Sequence, residues 1–318
     1  MSESPIVLVT GGAGFIGSHL AQRLAEKGRS VRILDDLSTG RHESIEMLQR
    51  LYPERIDFLQ GDIRDPRTVE ETLRGVEEVL HQAALASVER SIRDPWTSHS
   101  VNVDGTLRLL DACRRHPVRR FVFAGSSSIY GDQPELPKHE GMAPAPRSPY
   151  AMSKRIAEDY ARLYAELYGL PTLTLRYFNV FGPRQDPNSP YAAVIPRFLR
   201  AILEGQPPTI FGDGRQTRDF TFIENVIDAN LAALDCDAPR GQAVNIACGV
   251  QTSLLDLLEM ICSIAAGRRA EPQFLPARDG DVRDSVADIS RARELLGYVP
   301  RIPLQEGLKR TFAAFRLD

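Results

Sequence analysis

A tyrosine and a lysine that could move a proton together stand in the segment SPYAMSK, where Tyr150 precedes Lys154 by one helical turn. Ser148 is suited to the N-cap of a helix and Pro149 to its first position. Positions i and i+4 share a helix face, so the ammonium should lie beside the phenol. Lowering a tyrosine pKa from about 10 to near 7 requires about 4 kcal/mol, which this ammonium, the helix N-terminus and a further nearby positive charge could supply. The segment predicts Tyr150 as an acid–base catalyst, although this spacing alone is common by chance.

A serine run follows the apolar stretch Phe121–Phe123, which predicts a strand. At the carboxyl end of a parallel strand a hydroxyl points into the crevice where ligands bind. We therefore expect Ser126 to hold or relay a substrate proton. Ser127 and Ser128 could bind substrate, or could simply form the turn.

A glycine-rich segment, TGGAGFIG, follows the predicted strand Ile6–Val9 and leads into a helix. Gly11 permits a tight turn, Gly14 allows backbone N–H groups to approach a pyrophosphate, and Gly17 allows the helix to pack closely. Phe15 and Ile16 open the helix, whose N-terminus attracts the phosphates. This strand–turn–helix setting predicts a dinucleotide site.

Acidic residues after the next two strands indicate which dinucleotide binds. Asp35 ends the second strand, where a carboxylate accepts hydrogen bonds from ribose hydroxyls and repels a 2′-phosphate. Asp36 adds a second negative charge, so NAD is favoured over NADP. Asp62 and Ile63 resemble a motif that holds the adenine edge, although Asp62 could equally cap a helix. Tyr150 is expected to contact the cofactor as well, as is Lys154.

The elements around these residues alternate between short β-branched runs and amphipathic stretches. This rhythm predicts a doubly wound parallel α/β (Rossmann) sheet, with ligands at the carboxyl ends of its strands. We expect an NAD-binding domain over residues 1–178 and a smaller α/β substrate domain over 179–318, some segments of which return to the first domain. The predicted strands are Ile6–Val9, Val31–Leu34, Ile56–Leu59, Glu78–His81, Phe121–Phe123 and Thr172–Arg176, and the predicted helices are Ile16–Lys27, Arg67–Leu73, Trp96–Arg115, Pro149–Tyr168 and Leu254–Ile264.

Composition narrows the function classes. Of the 318 residues, 42% are hydrophobic and 25% charged, and the net charge of −3 gives no reason to expect nucleic acid or a membrane as a partner. Neither a signal peptide nor a membrane helix is expected. The four cysteines are scattered, which favours free thiols over a metal site or disulfides and predicts a cytoplasmic protein.

Taken together, these motifs resemble the extended short-chain dehydrogenase/reductase superfamily, its NAD-dependent epimerase/dehydratase family, and within that the UDP-hexose 4-epimerases. The resemblance covers essentially the whole chain, and it includes HQAA from His81, Asn102, RYFN ending at Asn179, RDF from Arg218 and GDVR from Gly280. It implies that Tyr150 removes the 4-OH proton while the C4 hydride moves to NAD. The 4-keto sugar then turns over and is reduced on its other face.

The resemblance also assigns the substrate contacts. Asn179 would hold the sugar diphosphate, backbone at Val194 would meet the uracil, Arg218 and Arg278 would grip the phosphates, and Asp281 would bind the uridine ribose. Arginine suits bidentate phosphate recognition, although a surface ion pair is the ordinary role of either one. A homodimer through the helices Trp96–Arg115 and Pro149–Tyr168 is implied as well.

The sugar is assigned from the walls of the pocket. By motif, these are Ala86, Ser126, Tyr150, Asn179, Ala193 and Ser285. Glucose-restricted members resemble this chain but carry a bulky aromatic at Ser285 and larger groups at Ala86 and Ala193. Small residues leave room for an N-acetyl group, and segment 184–193 resembles bacterial UDP-GlcNAc 4-epimerases. Because a small wall does not reject a smaller sugar, UDP-GlcNAc is expected first and UDP-Glc second.

Several alternatives stay open. The chain could act mainly on UDP-glucose, or on UDP-glucuronate, since Arg184 stands near the place where a carboxylate would need an arginine. Sister 4,6-dehydratases carry an acid pair where this chain has Ser126-Ser127-Ser128 and are disfavoured, as are the glucuronate decarboxylases. Outside the epimerases, an NAD-binding regulator would be expected to lose its catalytic side chains, and a 4-ketohexose reductase would have to exchange its cofactor.

Overall fold

The computed structural model describes residues 5–187, 192–237, 240–265, 270–277 and 282–316. Its strands are β1 (Ile6–Thr10), β2 (Ser30–Asp35), β3 (Ile56–Gln60), β4 (Val76–His81), β5 (Arg120–Ser126), β6 (Thr172–Tyr177), β7 (Val180–Phe181), β8 (Thr209–Phe211), β9 (Thr217–Arg218), β10 (Thr221–Phe222), β11 (Gln242–Ile246), β12 (Thr252–Ser253) and β13 (Gln273–Leu275). Its α-helices are α1 (Phe15–Glu26), α2 (His42–Leu51), α3 (Pro66–Thr72), α4 (Val88–Arg93), α5 (Pro95–His99), α6 (Thr106–Cys113), α7 (Pro149–Tyr168), α8 (Val194–Leu203), α9 (Ile223–Asp235), α10 (Leu254–Ile264), α11 (Ser290–Leu296) and α12 (Leu304–Phe315).

Seven strands form one parallel sheet in the order β11-β6-β5-β4-β1-β2-β3. From β1 the chain adds β2 and β3 on one side and then crosses to add β4, β5 and β6 on the other. The carboxyl ends of β1 and β4 therefore flank the point where the strand order reverses, which is where a doubly wound sheet opens its crevice. The predicted Rossmann-type fold is confirmed.

Alternation along β1 explains why the sheet is covered on both faces. Val7 and Val9 pack in one apolar cluster and Leu8 in the other, and all three are fully buried. A parallel sheet buried in this way holds the loops at its carboxyl edge on a rigid base. No helix in the described part of the chain is long and apolar enough to cross a membrane.

Several elements of the structure were not predicted, among them the helices α2, α8, α9, α11 and α12. The stretch Trp96–Arg115 is helical as predicted, but its middle part, Ser100–Gly105, is a π-helical segment between α5 and α6. In addition, the sequence pattern did not reveal β11, which pairs with β6 at the edge of the main sheet. The short strands after Asn179 form two-stranded ladders, such as β7 with β10 and β9 with β12.

Candidate active site

The glycine-rich loop is built for close backbone approach. Gly11 has φ +67°, and a Cβ there would lie 2.7 Å from the Ala83 nitrogen. A Cβ on Gly17 would lie 2.2 Å from the Gly11 carbonyl oxygen, so only glycine lets α1 start this close to the loop. At Gly14, which caps α1 in an extended conformation, no side chain caps the helix. The backbone N–H groups of the first turn thus face a cradle that an anionic pyrophosphate fits.

Asp35 lies next to this loop, and some of the acceptor positions of its carboxylate are already used by the protein backbone. It accepts hydrogen bonds from the backbone N–H of Ala13 and of Leu37, both at 2.9 Å. Burial raises the pKa of Asp35, and these two hydrogen bonds oppose the rise. Since each carboxylate oxygen accepts more than one bond, the carboxylate keeps capacity for ribose hydroxyls.

The two neighbouring acids are held by local contacts. Asp36 accepts from the backbone and hydroxyl of Ser38. Asp62 pairs with Arg64 through both carboxylate oxygens, and hydrogen bonds from Arg64 lower the pKa of Asp62. With Ile63, these acids line the cavity that also contains the glycine loop. We call it the glycine-loop cavity; all the residues expected to hold the cofactor line it, namely Gly11, Gly14, Phe15, Ile16, Gly17, Asp35, Asp36, Asp62, Ile63, Tyr150 and Lys154.

Helix α7 begins as its sequence predicts. The Ser148 hydroxyl accepts from the Ala151 N–H at 3.1 Å, and Pro149 occupies the first turn. Tyr150 is half-buried and Lys154 is buried, with both side chains on the glycine-loop cavity. The Lys154 ammonium donates to the Ala124 carbonyl oxygen at 2.9 Å and lies 4.9 Å from the centre of the Phe123 ring. Strand β5 thereby fixes the lysine.

Burial acts on the charges of this pair in opposite directions. It raises the pKa of Tyr150, and a hydrogen bond with Ser126 opposes the rise. It lowers the pKa of Lys154 to about 7. In the chain by itself, desolvation thus outweighs the hydrogen bond from Ser126, and the expected lowering of the tyrosine pKa depends on the further positive charge that a bound cofactor would bring.

Ser126 ends β5 and lies beside Tyr150. Its hydroxyl is 2.8 Å from the Ser128 hydroxyl and accepts from the Ser128 N–H at 3.2 Å. Together with Ser127, these serines and Tyr150 line a second cavity, which we call the serine cavity. Ala86, Asn179, Arg218 and Ser285 line it as well. Tyr150 thus stands where the serine cavity meets the glycine-loop cavity.

A third cavity continues from the serine cavity on the side of α8. We call it the Val194 cavity; Ala193 and Val194 line it, and Ala86, Asn179 and Arg218 are shared with the serine cavity. Ala193 was expected beside Tyr150 and Ser285, and the structure places it in this outer cavity instead. Arg278 and Asp281 lie outside the described residues, as does part of segment 184–193 (residues 188–191).

Arg184 is turned away from the serine cavity. Its guanidinium donates to the Gln22 side-chain oxygen of α1 and lies 3.5 Å from the Ser18 hydroxyl. It lines neither the serine cavity nor the Val194 cavity. The charge of Arg184 therefore lies away from the walls of these two cavities.

A fully buried histidine connects the two strands that flank the crevice. His81 Nε2 lies 2.9 Å from the Thr106 hydroxyl, which itself donates to the Asn102 carbonyl oxygen. His81 Nε2 must therefore carry the proton, and His81 Nδ1 accepts from the Thr10 hydroxyl at 2.6 Å. Burial lowers the pKa of His81 to about 3, so the ring is neutral.

The same network reaches α7. The Asn102 amide donates to the Ser153 hydroxyl at 3.0 Å, and Ser153 donates to the Tyr150 carbonyl oxygen at 2.8 Å. Asn102 also accepts from the Leu85 N–H, beside the wall residue Ala86. One chain of hydrogen bonds thus sets α7 against the loop after β4.

Sequence reasoning missed two cationic side chains of the serine cavity, Lys138 and Arg147. Lys138 is 1% exposed and donates to the carbonyl oxygens of Gln133 and Glu135, and Arg147 lies 3.3 Å from Asp132. Both belong to the segment between β5 and α7, which has no periodic pattern that would have revealed its position. The four cysteines are free, as expected.

The chain is similar to known proteins over nearly its whole length. Residues 7–247 match the model of the NAD dependent epimerase/dehydratase family. The chain is 42% identical over 316 residues to a UDP-glucose 4-epimerase of Mycolicibacterium smegmatis, covering 97% of this chain and 98% of the relative.

Two solved structures superpose over nearly the whole chain. One is a UDP-N-acetylglucosamine 4-epimerase from Methanobrevibacter ruminantium in complex with UDP-N-acetylmuramic acid, with TM-score 0.93, 37% identity and 99% coverage of both chains. The other is a UDP-glucuronic acid 4-epimerase from Bacillus cereus, a tyrosine-to-phenylalanine mutant with a fluorinated UDP-glucuronic acid and NAD, with TM-score 0.92, 34% identity and coverage of 98% and 99%.

Proposed function

Because this chain belongs to the NAD-dependent epimerase/dehydratase family, we propose that it is a UDP-hexose 4-epimerase that interconverts UDP-GlcNAc and UDP-GalNAc, with UDP-Glc and UDP-Gal as a second substrate pair. One observation carries the proposal: Tyr150 lies where the cavity with the glycine loop meets the cavity with the serine run. A cofactor and a sugar bound in these cavities meet at the phenol. The cradle formed by Gly11 and Gly17 fits a dinucleotide pyrophosphate.

The residues of this chain divide the chemistry between them. Bound NAD supplies the reversible oxidation of C4. Tyr150 takes the proton of the 4-hydroxyl and returns it, which requires that its hydroxyl exchange protons with the substrate. Ser126 hydrogen-bonds Tyr150 and holds the reacting oxygen. Lys154, fixed by the Ala124 carbonyl oxygen, places positive charge beside the cofactor and the phenol.

The outer cavities suit the nucleotide part of the substrate. Arg218 lines both the serine cavity and the Val194 cavity, so its guanidinium can meet a diphosphate that joins the sugar to the nucleoside. Asn179 lines both cavities as well. We assign the diphosphate to Arg218 and Asn179 and the uracil to the backbone at Val194, with Arg278 and Asp281 completing the site.

Small walls support the acetamido sugar. Ala86 and Ser285 both line the serine cavity, where larger side chains would occupy the space of an N-acetyl group. The decisive experiment incubates the purified protein, without added cofactor, with UDP-GlcNAc, UDP-Glc and UDP-GlcA separately and follows the products by NMR. We expect the C4 epimer of UDP-GlcNAc to form fastest. If no epimer appears even with NAD supplied, the proposal is wrong.

Ser285→Tyr sharpens the test of the sugar. The added ring should suppress turnover of UDP-GlcNAc, because it occupies the space of the N-acetyl group, and should leave turnover of UDP-Glc within about threefold. A single contact of this kind discriminates between two substrates by about 1–3 kcal/mol. Ser127→Ala is the matched control, because it makes a wall residue smaller. Unchanged turnover of UDP-GlcNAc by the tyrosine variant would remove Ser285 from the acetamido pocket.

UDP-glucuronate is the second candidate substrate, since Lys138 and Arg147 add positive charge to the serine cavity. Their hydrogen-bonding capacity is partly taken by the loop carbonyls and by Asp132, and Arg184 lies against α1. These contacts favour a neutral sugar. Faster epimerisation of UDP-GlcA than of UDP-GlcNAc would reverse this order.

We also propose a homodimer through the helical stretch Trp96–Arg115 and α7. Exposed apolar side chains lie on these helices: Trp96 is 83% exposed, Leu167 68% and Met152 47%. Met152, Leu163 and Leu167 share one face of α7 by their spacing. Leu167→Glu should shift the mass measured by light scattering toward the monomer, whereas a monomeric wild-type protein would refute the dimer.

A further inference from the structure

Asp219 is fully buried, and backbone N–H groups surround its carboxylate. One oxygen accepts from Cys248 N–H at 2.9 Å. The other accepts from Gly249 N–H at 2.9 Å and from Ala287 N–H at 3.1 Å. A single side chain therefore joins three segments that are distant in sequence: 217–221, 248–249 and the segment around 287.

Each of these segments leads to the walls of the substrate cavities. Arg218 precedes Asp219 in the chain and lines both outer cavities. The Asn179 amide donates to the Asp219 carbonyl oxygen at 3.1 Å, and the Asn179 carbonyl oxygen accepts from Thr221 N–H. Ser285, a wall of the serine cavity, lies just before Ala287.

The short strands beside Asp219 also hold the backbone of Thr217 and Arg218 in place. Thr252 of β12 pairs with Arg218 of β9, directly after the loop whose N–H groups bind the carboxylate. On the other side, Thr217 N–H donates to the Arg283 carbonyl oxygen and the Thr217 hydroxyl donates to Asp284 at 2.6 Å. The backbone that carries Arg218 is therefore held between two segments, and Asp219 ties both of them together.

We propose that Asp219 is a positioning residue for substrate: its carboxylate holds Arg218, Asn179 and the Ser285 wall in one arrangement, so that the diphosphate and the sugar are bound together. This inference rests on the proposed UDP-sugar site. Only an ionised carboxylate presents acceptors in all these directions, because an amide in its place would turn two N–H donors toward N–H donors. Burial raises the pKa of Asp219 to about 6 and the N–H bonds oppose it, so the group is charged at neutral pH.

The test is Asp219→Asn in the full-length protein with its bound cofactor. We expect the Kd for UDP and the KM for UDP-GlcNAc to rise about tenfold or more, with kcat within about threefold of wild type and the NAD content unchanged. Asp213→Asn is the matched control, since Asp213 lies in the preceding loop, between β8 and β9, and forms an exposed ion pair with Arg283. That variant should bind UDP as wild type does.

UDP alone separates the two proposals. If wild type binds UDP and Asp219→Asn binds it equally well, the positioning role is wrong while the proposed function stands. Parallel loss of NAD, kcat and UDP binding in the variant would also overturn it, since that indicates general damage. A wild-type protein that does not bind UDP overturns both proposals.

A second measurement needs no variant and holds even if Asp219→Asn fails to fold. Hydrogen–deuterium exchange of the wild-type protein is followed with and without UDP, in peptides that contain Cys248 and Gly249 and in peptides that contain Ala287. We expect UDP to slow exchange in both peptides together with the Arg218 segment. Protection confined to the Arg218 segment would contradict the inference.

Discussion

Gly17→Ala should remove NAD from the protein while leaving it folded. The added Cβ would lie 2.2 Å from the Gly11 carbonyl oxygen, whereas ordinary contacts begin near 3.4 Å, so the first turn of α1 must move by more than an ångström. Hydrogen bonds from backbone N–H groups to an anion are worth about 1.5–3 kcal/mol each. Misplacing two of them costs about 3 kcal/mol or more, which corresponds to a Kd for NAD raised by at least about 100-fold.

The assay is the NAD content of the purified protein, followed by calorimetric titration of NAD into protein stripped of cofactor. Gly28→Ala is the control at the other end of α1. Gly28 has φ +79° with nothing within 4 Å of an added Cβ, so that variant should lose about 1–2 kcal/mol of stability and retain its NAD. Wild-type affinity for NAD in Gly17→Ala would refute the reasoning, and equal loss in Gly28→Ala would show that strain in α1, rather than the loop cradle, controls binding.

Three further predictions concern Glu158, His81 and Tyr150. Glu158→Gln breaks a buried ion pair with Arg176 and should lower the free energy of unfolding, measured in urea, by about 3–5 kcal/mol. The control Glu204→Gln breaks an exposed ion pair with Arg200 and should lower it by less than about 0.5 kcal/mol. Similar losses in the two variants would contradict this prediction. Burial lowers the pKa of His81 to about 3 in the folded protein, so protons favour the unfolded chain as the pH falls below about 6.5. Between pH 6.5 and 5, the free energy of unfolding of wild type should therefore fall by up to about 2 kcal/mol more than that of His81→Asn. Equal pH dependence of the two free energies would contradict a neutral buried His81. Tyr150→Phe should abolish epimerisation and keep NAD, since only proton transfer is lost; activity equal to wild type would remove Tyr150 from the mechanism.

Local motifs predicted the cofactor half of the site because its parts follow one another in the chain. A strand, a glycine loop and a helix between Ile6 and Glu26 define their own geometry, and the structure brings every expected cofactor residue to one cavity. The same holds for α7, whose start was predicted from its cap and its first-turn proline and whose predicted bounds, Pro149–Tyr168, match the structure. Each of these signals acts within a few residues.

The substrate half could not be predicted in the same way, because contacts between distant segments build it. Ala193 and Ser285 were grouped by motif, yet they line different cavities. Strand β11 joins the main sheet by pairing with β6, a strand much earlier in the chain, and this pairing cannot be read from the local sequence. The π-helical segment at Ser100–Gly105 occurs where Asn102 and Thr106 turn their polar groups toward Leu85 and His81, contacts that the local sequence pattern does not reveal.

For the tyrosine–lysine pair, the spacing in the sequence predicts the positions of the side chains but not their pKa values. Separation by one helical turn correctly places Tyr150 and Lys154 on the same cavity, but it carries no information about burial. In the folded protein, burial raises the pKa of Tyr150 and lowers the pKa of Lys154 to about 7, so both shifts favour the neutral forms. Spacing alone therefore does not give the ionisation of the phenol, because desolvation acts on both groups of the pair. The hydrogen bond from Ser126 is the chain's own contribution that favours the tyrosinate. Ser126→Ala should consequently shift the acidic limb of the kcat profile to higher pH, and an unshifted limb would assign the ionisation to another group.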